Sequence, residues 1–563
     1  MKFLYLLVLF SSMAFAQNQY PKDYFRLPLE IPMQLSGNFG ELRPNHFHAG
    51  FDFKTNQVEG LKVFASADGY VSRIKISTAG YGKAIYITHP NGYTTVYGHL
   101  QKAMGIIQDK IIELQYQNKS YEVEAYFKLG ELPIKKGEII ALSGNTGGSE
   151  GPHLHFEFRD SKTEKIINPL FFGLDLKDDR DPIVSNVLVY PIDNTSIANE
   201  SKRPILLSLS LQKDGSYLAE KVLATGKIGF GISDVDFDDV SYNPNGTYKT
   251  QLISNGKTIF GYEFNEMVFD EARYVNALID YSRYKKTHQR VQKLFMKQPY
   301  NWSNISQNVD NGIINVAPNF SSIQRIEVSD YFQNKTVINI PVAYSNKKAI
   351  VDEEIKPTPY FVKAKVEANF EKDNVSVLFP AGTFYDDFYL NFDVKNDIVY
   401  LHEDVVPAHS NFTITIEDPK SSAEDRKKMF IASLYGNKWN YNTTKVVGNA
   451  FVCKTKTLGQ FKLVKDTVAP KITIAKSIEN KWLTGVKNIQ LNIADDSSGV
   501  KTYNGYLNDK WVLFEYEPKT KKITHTFDDA LLLEGQNKLK VVVTDNVGNS
   551  TIFETQFFRS QKK

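Results

Sequence analysis

The chain has 563 residues, 42% of them hydrophobic and 23% charged, which excludes a disordered polymer and leaves room for about three or four domains. With 67 basic against 64 acidic residues the net charge is +3, a balance that gives no reason to expect a nucleic-acid partner. The single cysteine, Cys453, excludes an intramolecular disulfide.

The first element is residues 1–16 of "MKFLYLLVLFSSMAFAQNQ". Lys2, an apolar run and the small-x-small triplet Ala14-Phe15-Ala16 predict a secretory signal peptide cut before Gln17. The run is too short to cross a bilayer comfortably. No later stretch is long and apolar enough to span, so the mature chain is expected without a membrane span, exported to the periplasm or beyond the cell. An exported chain without disulfides suggests a bacterial source.

Residues 17–175 read as one β domain. "LKVFASADGYVSRIKIS", "KAIYITHPNGYTTVYGHL" and "GEIIALSGNTGG" alternate apolar and polar residues and end in Asp-Gly, Asn-Gly or Gly-Gly, which are hairpin signals. Residues 107–131 interrupt this rhythm and are expected to form an added hairpin or flap. In "GPHLHFEFRD" the period of two puts His153, His155 and Glu157 on one face and Leu154, Phe156 and Phe158 on the other.

Behind this domain the expectation is about three β-sandwich-like modules, making the chain all-β: immunoglobulin-like ones at 180–345 and 467–560, and another sandwich at 355–465. An internal repeat supports the outer pair. "GKIGFGISDVDFDD" (226–239) aligns with "KNIQLNIADDSSGV" (487–500), and "RIEVSDYFQNKTVINIPV" (325–342) with "KVVVTDNVGNSTIFETQF" (540–557). Asp234, Asp236, Asp495 and Asp496 are read as turn residues of solvated loops in preference to calcium ligands. No nucleophile–base pairing is visible in the rear modules, so a chain ended near Phe172 is expected to keep any catalytic activity.

Six of the ten histidines, at 46, 48, 89, 99, 153 and 155, precede residue 160. Three pieces carry the chemistry: His48-x-x-x-Asp52, His99, and His153-Leu154-His155. Two imidazoles and a carboxylate suit zinc with one position left open, and disfavour calcium or magnesium. Each piece alone also fits a blander reading, as a surface His–Asp pair or a satisfied histidine pair. His89, in the turn "THPNGY", is read as structural, and His46 as a solvated loop residue.

Taken in order, "FGELRP…HAGFDF", "GYGKAIYITHPNGYTTVYGHL" and "KKGEIIALSGNTGGSEGPHLHFEFR" resemble the lysostaphin/LytM-type zinc metallopeptidases over about residues 35–172. The resemblance implies a compact antiparallel β fold crossed by a groove, and hydrolysis of stem or bridge peptides in bacterial peptidoglycan. It also implies that His48, Asp52 and His155 hold Zn2+ and that His99 and His153 are the two catalytic histidines that bind no metal. Segment 107–131 departs from the family pattern and is expected near a groove wall. The other readings are a non-enzymatic regulator of wall hydrolases and a wall-binding scaffold; the complete set of five residues favours the enzyme. Expected partners are peptidoglycan peptides and, through the rear modules, other cell-envelope proteins.

Overall fold

The computed structural model describes residues 20–352, 356–528 and 531–560. The expected signal peptide and its cut site lie outside these residues. Among the described residues no helix is long and apolar enough to cross a membrane.

The front domain is built on one antiparallel sheet. Its strands are β1 (Leu35–Gly37), β2 (Phe51–Lys54), β3 (Gly69–Ile76), β4 (Lys83–Thr88), β5 (Tyr93–Gly98), β6 (Val123–Tyr126) and β7 (His153–Asp160). They lie in the order β1-β2-β7-β5-β4-β3-β6. The long strand β7 is therefore central, paired with β2 on one side and β5 on the other. Its apolar face, Leu154, Phe156 and Phe158, is fully buried, and Phe158 stacks on Phe172 at 3.9 Å between ring centroids. Burying each such side chain contributes about 1.5–3 kcal/mol. That anchoring fixes the register, and the period of two turns the histidines to the opposite face.

Residues 107–131 do not form the expected hairpin. Gly105–Asn118 is an α-helix, α1, that buries Ile107, Ile111 and Gln115. These are spaced by four, the period of a helix face rather than of a strand. The chain then returns as β6 along the outer edge of β3. The segment also does not wall the groove. Tyr116 of α1 meets the indole of Trp511 edge-on at 5.3 Å, and Lys83 pairs with Glu515 at 2.6 Å, so this side of the front domain is the seat of the last module.

The rear of the chain is strand-rich, as expected. Residues 183–344 form a thirteen-stranded sheet system whose apolar core is continuous with that of the front domain. Ile166 and Ile167 pair with Met267 and Glu266, and Phe47 stacks flat on Trp302 at 4.9 Å. Residues 361–465 carry two five-stranded sheets around a separate core that includes Phe379, Phe412 and Cys453. Residues 471–559 carry two four-stranded sheets closed over Leu491, Val541 and Phe557.

Candidate metal centre and groove

His155 and Asp52 are direct cross-strand partners on β7 and β2. His48 precedes β2 by one turn of chain, and Gly50 lets that turn press onto β7: a Cβ there would stand 2.2 Å from the Phe156 carbonyl oxygen. On the other flank Gly98 is the register partner of His155 and leaves its ring room to stack on Tyr81 at 4.7 Å. The three side chains converge although 107 residues separate the first from the last. His48 Nε2 lies 3.1 Å from Asp52 Oδ1 and 3.1 Å from His155 Nδ1. His155 Nδ1 lies 2.9 Å from Asp52 Oδ1. All three residues are buried.

Partners behind the rings decide which atoms face inward. The Asn38 carbonyl oxygen accepts from His48 Nδ1 at 2.7 Å, so that nitrogen carries the proton and Nε2 presents a lone pair. The Glu157 carboxylate accepts from His155 Nε2 at 2.8 Å, which turns Nδ1 inward in the same way. Burial disfavours the charge on Glu157, but Arg159 and His155 outweigh it and hold the carboxyl at about 2. Arg159 Nε donates to it at 2.7 Å, and Tyr81 donates its hydroxyl proton. The second oxygen of Asp52 accepts from Arg43 Nη2 at 2.6 Å.

Two ring lone pairs and a carboxylate oxygen thus meet at one point, an arrangement that is repulsive without a cation between them. Burial pushes the His155 imidazole down, but the bonds and charges of Asp52 and Glu157 outweigh it and lift it to about 9. His48, equally buried, is pushed down. The charges of Asp52 and Glu157 thus favour a cation at this point, and a metal ion bound by the two lone pairs and the carboxylate supplies one. Three N and O donors on one tetrahedral ion lie roughly 3.3–3.6 Å apart, so the triangle found here, slightly tighter, fits zinc.

His99 and His153 stand beside this triangle with ring centroids 4.6 Å apart. The Thr146 carbonyl oxygen accepts from His99 Nδ1 at 2.8 Å. Burial, with the His155 and His153 rings close by, pushes the His99 imidazole down to about 3. The Gly151 carbonyl oxygen accepts from His153 Nδ1 at 2.9 Å. Its Nε2 is buried with no hydrogen-bond partner, 3.4 Å from Asp52 Oδ1. Each ring has its Nδ1 engaged by a backbone carbonyl on the far side. All five residues singled out in the sequence are brought together; Asp52, His99 and His153 line a groove of about 880 Å³, with Arg43, Lys54, Gln57 and Asn243 among others, and His48 and His155 lie against Asp52.

His46 is exposed on the groove rim. His89 is buried away from it, its Nδ1 donating to the Asp68 carbonyl oxygen and its Nε2 facing Thr95 Oγ1, both at 2.8 Å. Sequence reasoning gave no role to Glu157, Arg43, Tyr81 or Asn38. Glu157 carried a signal, since it shares the face of the two histidines; Asn38 carried none, because it acts through its backbone oxygen.

The fold and this pocket form a candidate metal centre beside a groove. Residues 46–115 match Peptidase family M23, and residues 359–466 match a Zu5-like domain. The front of the chain is thus similar to M23 peptidases. The chain is 35% identical over 158 residues to an uncharacterized metalloprotease of Haemophilus influenzae, covering 26% of this chain and 27% of that protein. It is 36% identical over 158 residues to the DD-carboxypeptidase/endopeptidase Mpg of Neisseria meningitidis serogroup B, covering 27% and 30%. A zinc-containing peptidase from Vibrio cholerae aligns in structure at 27% identity, over 28% of this chain and 39% of that one, with a TM-score of 0.19. The chain spans about a quarter to a third of the length of the curated relatives it matches.

Proposed function

We propose that the protein is an exported zinc endopeptidase that hydrolyses peptide bonds in bacterial peptidoglycan. The observation that carries this reading is the triangle of His48 Nε2, Asp52 Oδ1 and His155 Nδ1 at 2.9–3.1 Å, with both imidazole protons held outside it. The substrate class follows relatives that include a peptidoglycan DD-endopeptidase, ShyC, 30% identical over 143 residues. Export follows from residues 1–16.

His48, Asp52 and His155 hold the metal, and nitrogen donors beside a carboxylate select zinc over the hard cations. A bound zinc ion supplies Lewis-acid polarisation of the scissile carbonyl and lowers the pKa of a coordinated water. His153 Nε2, the unpartnered buried nitrogen, is placed to accept a proton at the groove floor and to return it to the leaving amine. His99, its ring centroid 4.6 Å from that of His153, bounds the space in which the tetrahedral carbon forms. Arg43 donates to the second oxygen of Asp52 and aligns it from the groove side. The groove lining carries both acidic and basic side chains, Glu41 and Glu150 beside Arg43 and Lys54, which suits a peptide bearing both amine and carboxylate groups.

The test is turnover of purified crosslinked peptidoglycan by the zinc-replete chain, with product peptides identified by mass. New amine and carboxyl termini that vanish on chelation and return with zinc are expected. A zinc-loaded protein that leaves the peptidoglycan uncut would make it a regulator or a scaffold instead.

A further inference from the structure

A second buried cluster lies in the module behind the front domain, where Asp178, Asp236 and Asp330 each offer a carboxylate oxygen within 4.8 Å of the others. They are 8%, 5% and 2% exposed. The aspartates that pair with lysine or arginine in this chain are other ones. Three like charges held out of water without a countercharge are costly.

Two buried oxygens are left over at the same place. Asp236 Oδ1 has no hydrogen-bond partner, and neither does the side-chain oxygen of Asn245, a residue only 5% exposed. Asn245 is bridged to Asp236 by a pair of backbone hydrogen bonds of 2.8 and 3.0 Å. Its amide nitrogen is committed to Asp238 at 3.2 Å, which leaves the oxygen as its free end. All four residues line one cavity of about 30 Å³.

The internal repeat reproduces the arrangement. Asp466, Asp495 and Asp545 form the same triad in the last module. The ladders fix the equivalence: Ile183, just after Pro182, pairs with Val235, and Lys471, just after Pro470, pairs with Ala494. The next residues are Asp236 and Asp495, so the sequence alignment, which set Asp234 opposite Asp495, was two residues out of register. Asp234 is instead held by Thr247 and Gln292. Asn334 bridges Asp330 and the Asp178 carbonyl, at 2.7 and 2.9 Å, as Asn549 bridges Asp545 and the Asp466 carbonyl, at 2.7 and 3.1 Å. The expectation of solvated turn residues fails for Asp236, because the Asn38 and Gly246 contacts close the front domain over its loop.

We propose that Asp178, Asp236, Asp330 and Asn245 bind a calcium ion. The donors are all oxygen, three of them carboxylate, which selects a hard cation over zinc. A cavity of this size takes an ion and at most one or two waters. Calcium accepts such a nearly dry shell, whereas magnesium keeps several of its waters. The site is tied to the front domain: Asn38 Nδ2 donates to the Gly246 carbonyl at 2.7 Å and its Oδ1 accepts from Gly246 N at 2.9 Å. The same Asn38 orients His48 through its carbonyl. The ion therefore fastens the loop on which the front domain rests.

The experiment uses the zinc-replete full chain freed of other cations. Terbium is the probe, because Tyr248 and Tyr331 line the cavity and can sensitise its emission. Calcium should displace terbium and raise the melting temperature, and magnesium at equal concentration should do neither. Asp236→Asn should weaken calcium by about tenfold or more, through the loss of one charged ligand. It should also melt higher than the parent in calcium-free buffer, since one of three like charges is gone; a merely structural aspartate would not give these opposite signs. Asn245→Ala, which leaves every charge in place, gives a second measure should Asp236→Asn misfold, and should weaken calcium several-fold. Asp495→Asn reports the other triad and should leave this site filled. The proposal falls if the parent binds neither terbium nor calcium, if magnesium competes as well as calcium, if Asp236→Asn and Asn245→Ala keep the parental calcium affinity, or if Asp495→Asn alone abolishes binding.

Discussion

The two buried polar clusters of this protein are built from nearly the same currency, carboxylates pressed out of water, yet they are finished differently. At the front, one carboxylate is joined by two imidazoles, and each imidazole is backed by an acceptor that dictates which nitrogen faces in. Behind it, three carboxylates face one another beside the amides of Asn245 and Asn334, with the Asp238 carboxylate next to them and no imidazole among the donors. The difference teaches that selectivity is set one layer out. Asn38 and Glu157 make the first pocket a soft, directional nitrogen site, while turn amides leave the second an all-oxygen cage.

The largest expected effect breaks the front cluster alone. His155→Ala removes one of three ligands and should empty the centre and abolish turnover, with the calcium response of the melting temperature retained. His153→Ala should keep zinc at one equivalent per chain while turnover falls by about 100- to 10,000-fold, the usual worth of general acid–base help. His99→Ala should follow His153→Ala. Metal content measured beside cleavage rate decides; zinc lost from His153→Ala and kept in His155→Ala would reverse the ligand assignment.

The second effect is on stability and reverses an expectation. Residues up to Phe172 were expected to suffice, but Phe47, one residue before His48, packs on Trp302 and Phe264 of the next module. Trp302→Ala should destabilise the chain by about 3–5 kcal/mol, and zinc affinity should fall with it. A chain ended near Phe172 should be poorly folded, and one ended near 345 should hold zinc. A truncation at Phe172 with native melting behaviour would show that the shared core matters little.

A smaller effect tests the outer layer. Glu157→Gln keeps a hydrogen-bond acceptor on His155 Nε2 but removes the charge, and should cost about 10- to 100-fold in zinc affinity. Calcium binding should not move, because nothing in the acidic cluster touches Glu157. Equal losses at both sites would mean that the variant acts through general instability.

Much of the front site was legible because its chemistry is written in local patterns. The alternation of "HLHFEF" gives the face of His153, His155 and Glu157, and Asp52 needs only its place opposite that strand. The order of three glycine-flanked pieces supplied the rest. Segment 107–131 was misread because its isoleucines come in adjacent pairs, "GIIQDKII", which a period of two and a period near four both partly satisfy; packing of Ile107 and Ile111 settles it as a helix. The shared core was invisible, since Phe47 and Trp302 lie 255 residues apart and no local pattern links them. The acidic cluster was half visible. Of its residues the sequence singles out Asp236 alone, and a repeat aligned without ladders slips by two, which separates Asp236 from its true counterpart.

The smallest effect concerns a histidine that neither cluster uses. His89 is 3% exposed, with both ring nitrogens engaged and Phe25 edge-on at 5.2 Å. Burial pushes its imidazole down to about 4, against a model-peptide value near 6.5. Between these values the unfolded chain binds a proton that the folded chain refuses. Stability is therefore complete above about pH 6.5, falls as the pH drops toward 4, and changes no further from this group below that. The full difference is roughly 3–4 kcal/mol. His89→Gln removes the titration, so the gap between parent and variant melting temperatures should narrow from pH 7.5 to pH 4.5. The comparison isolates His89 from acid release of zinc, which both proteins share. A gap that stays constant across that range would mean that His89 takes up its proton at the same pH in the folded and the unfolded chain, so that burial does not depress it.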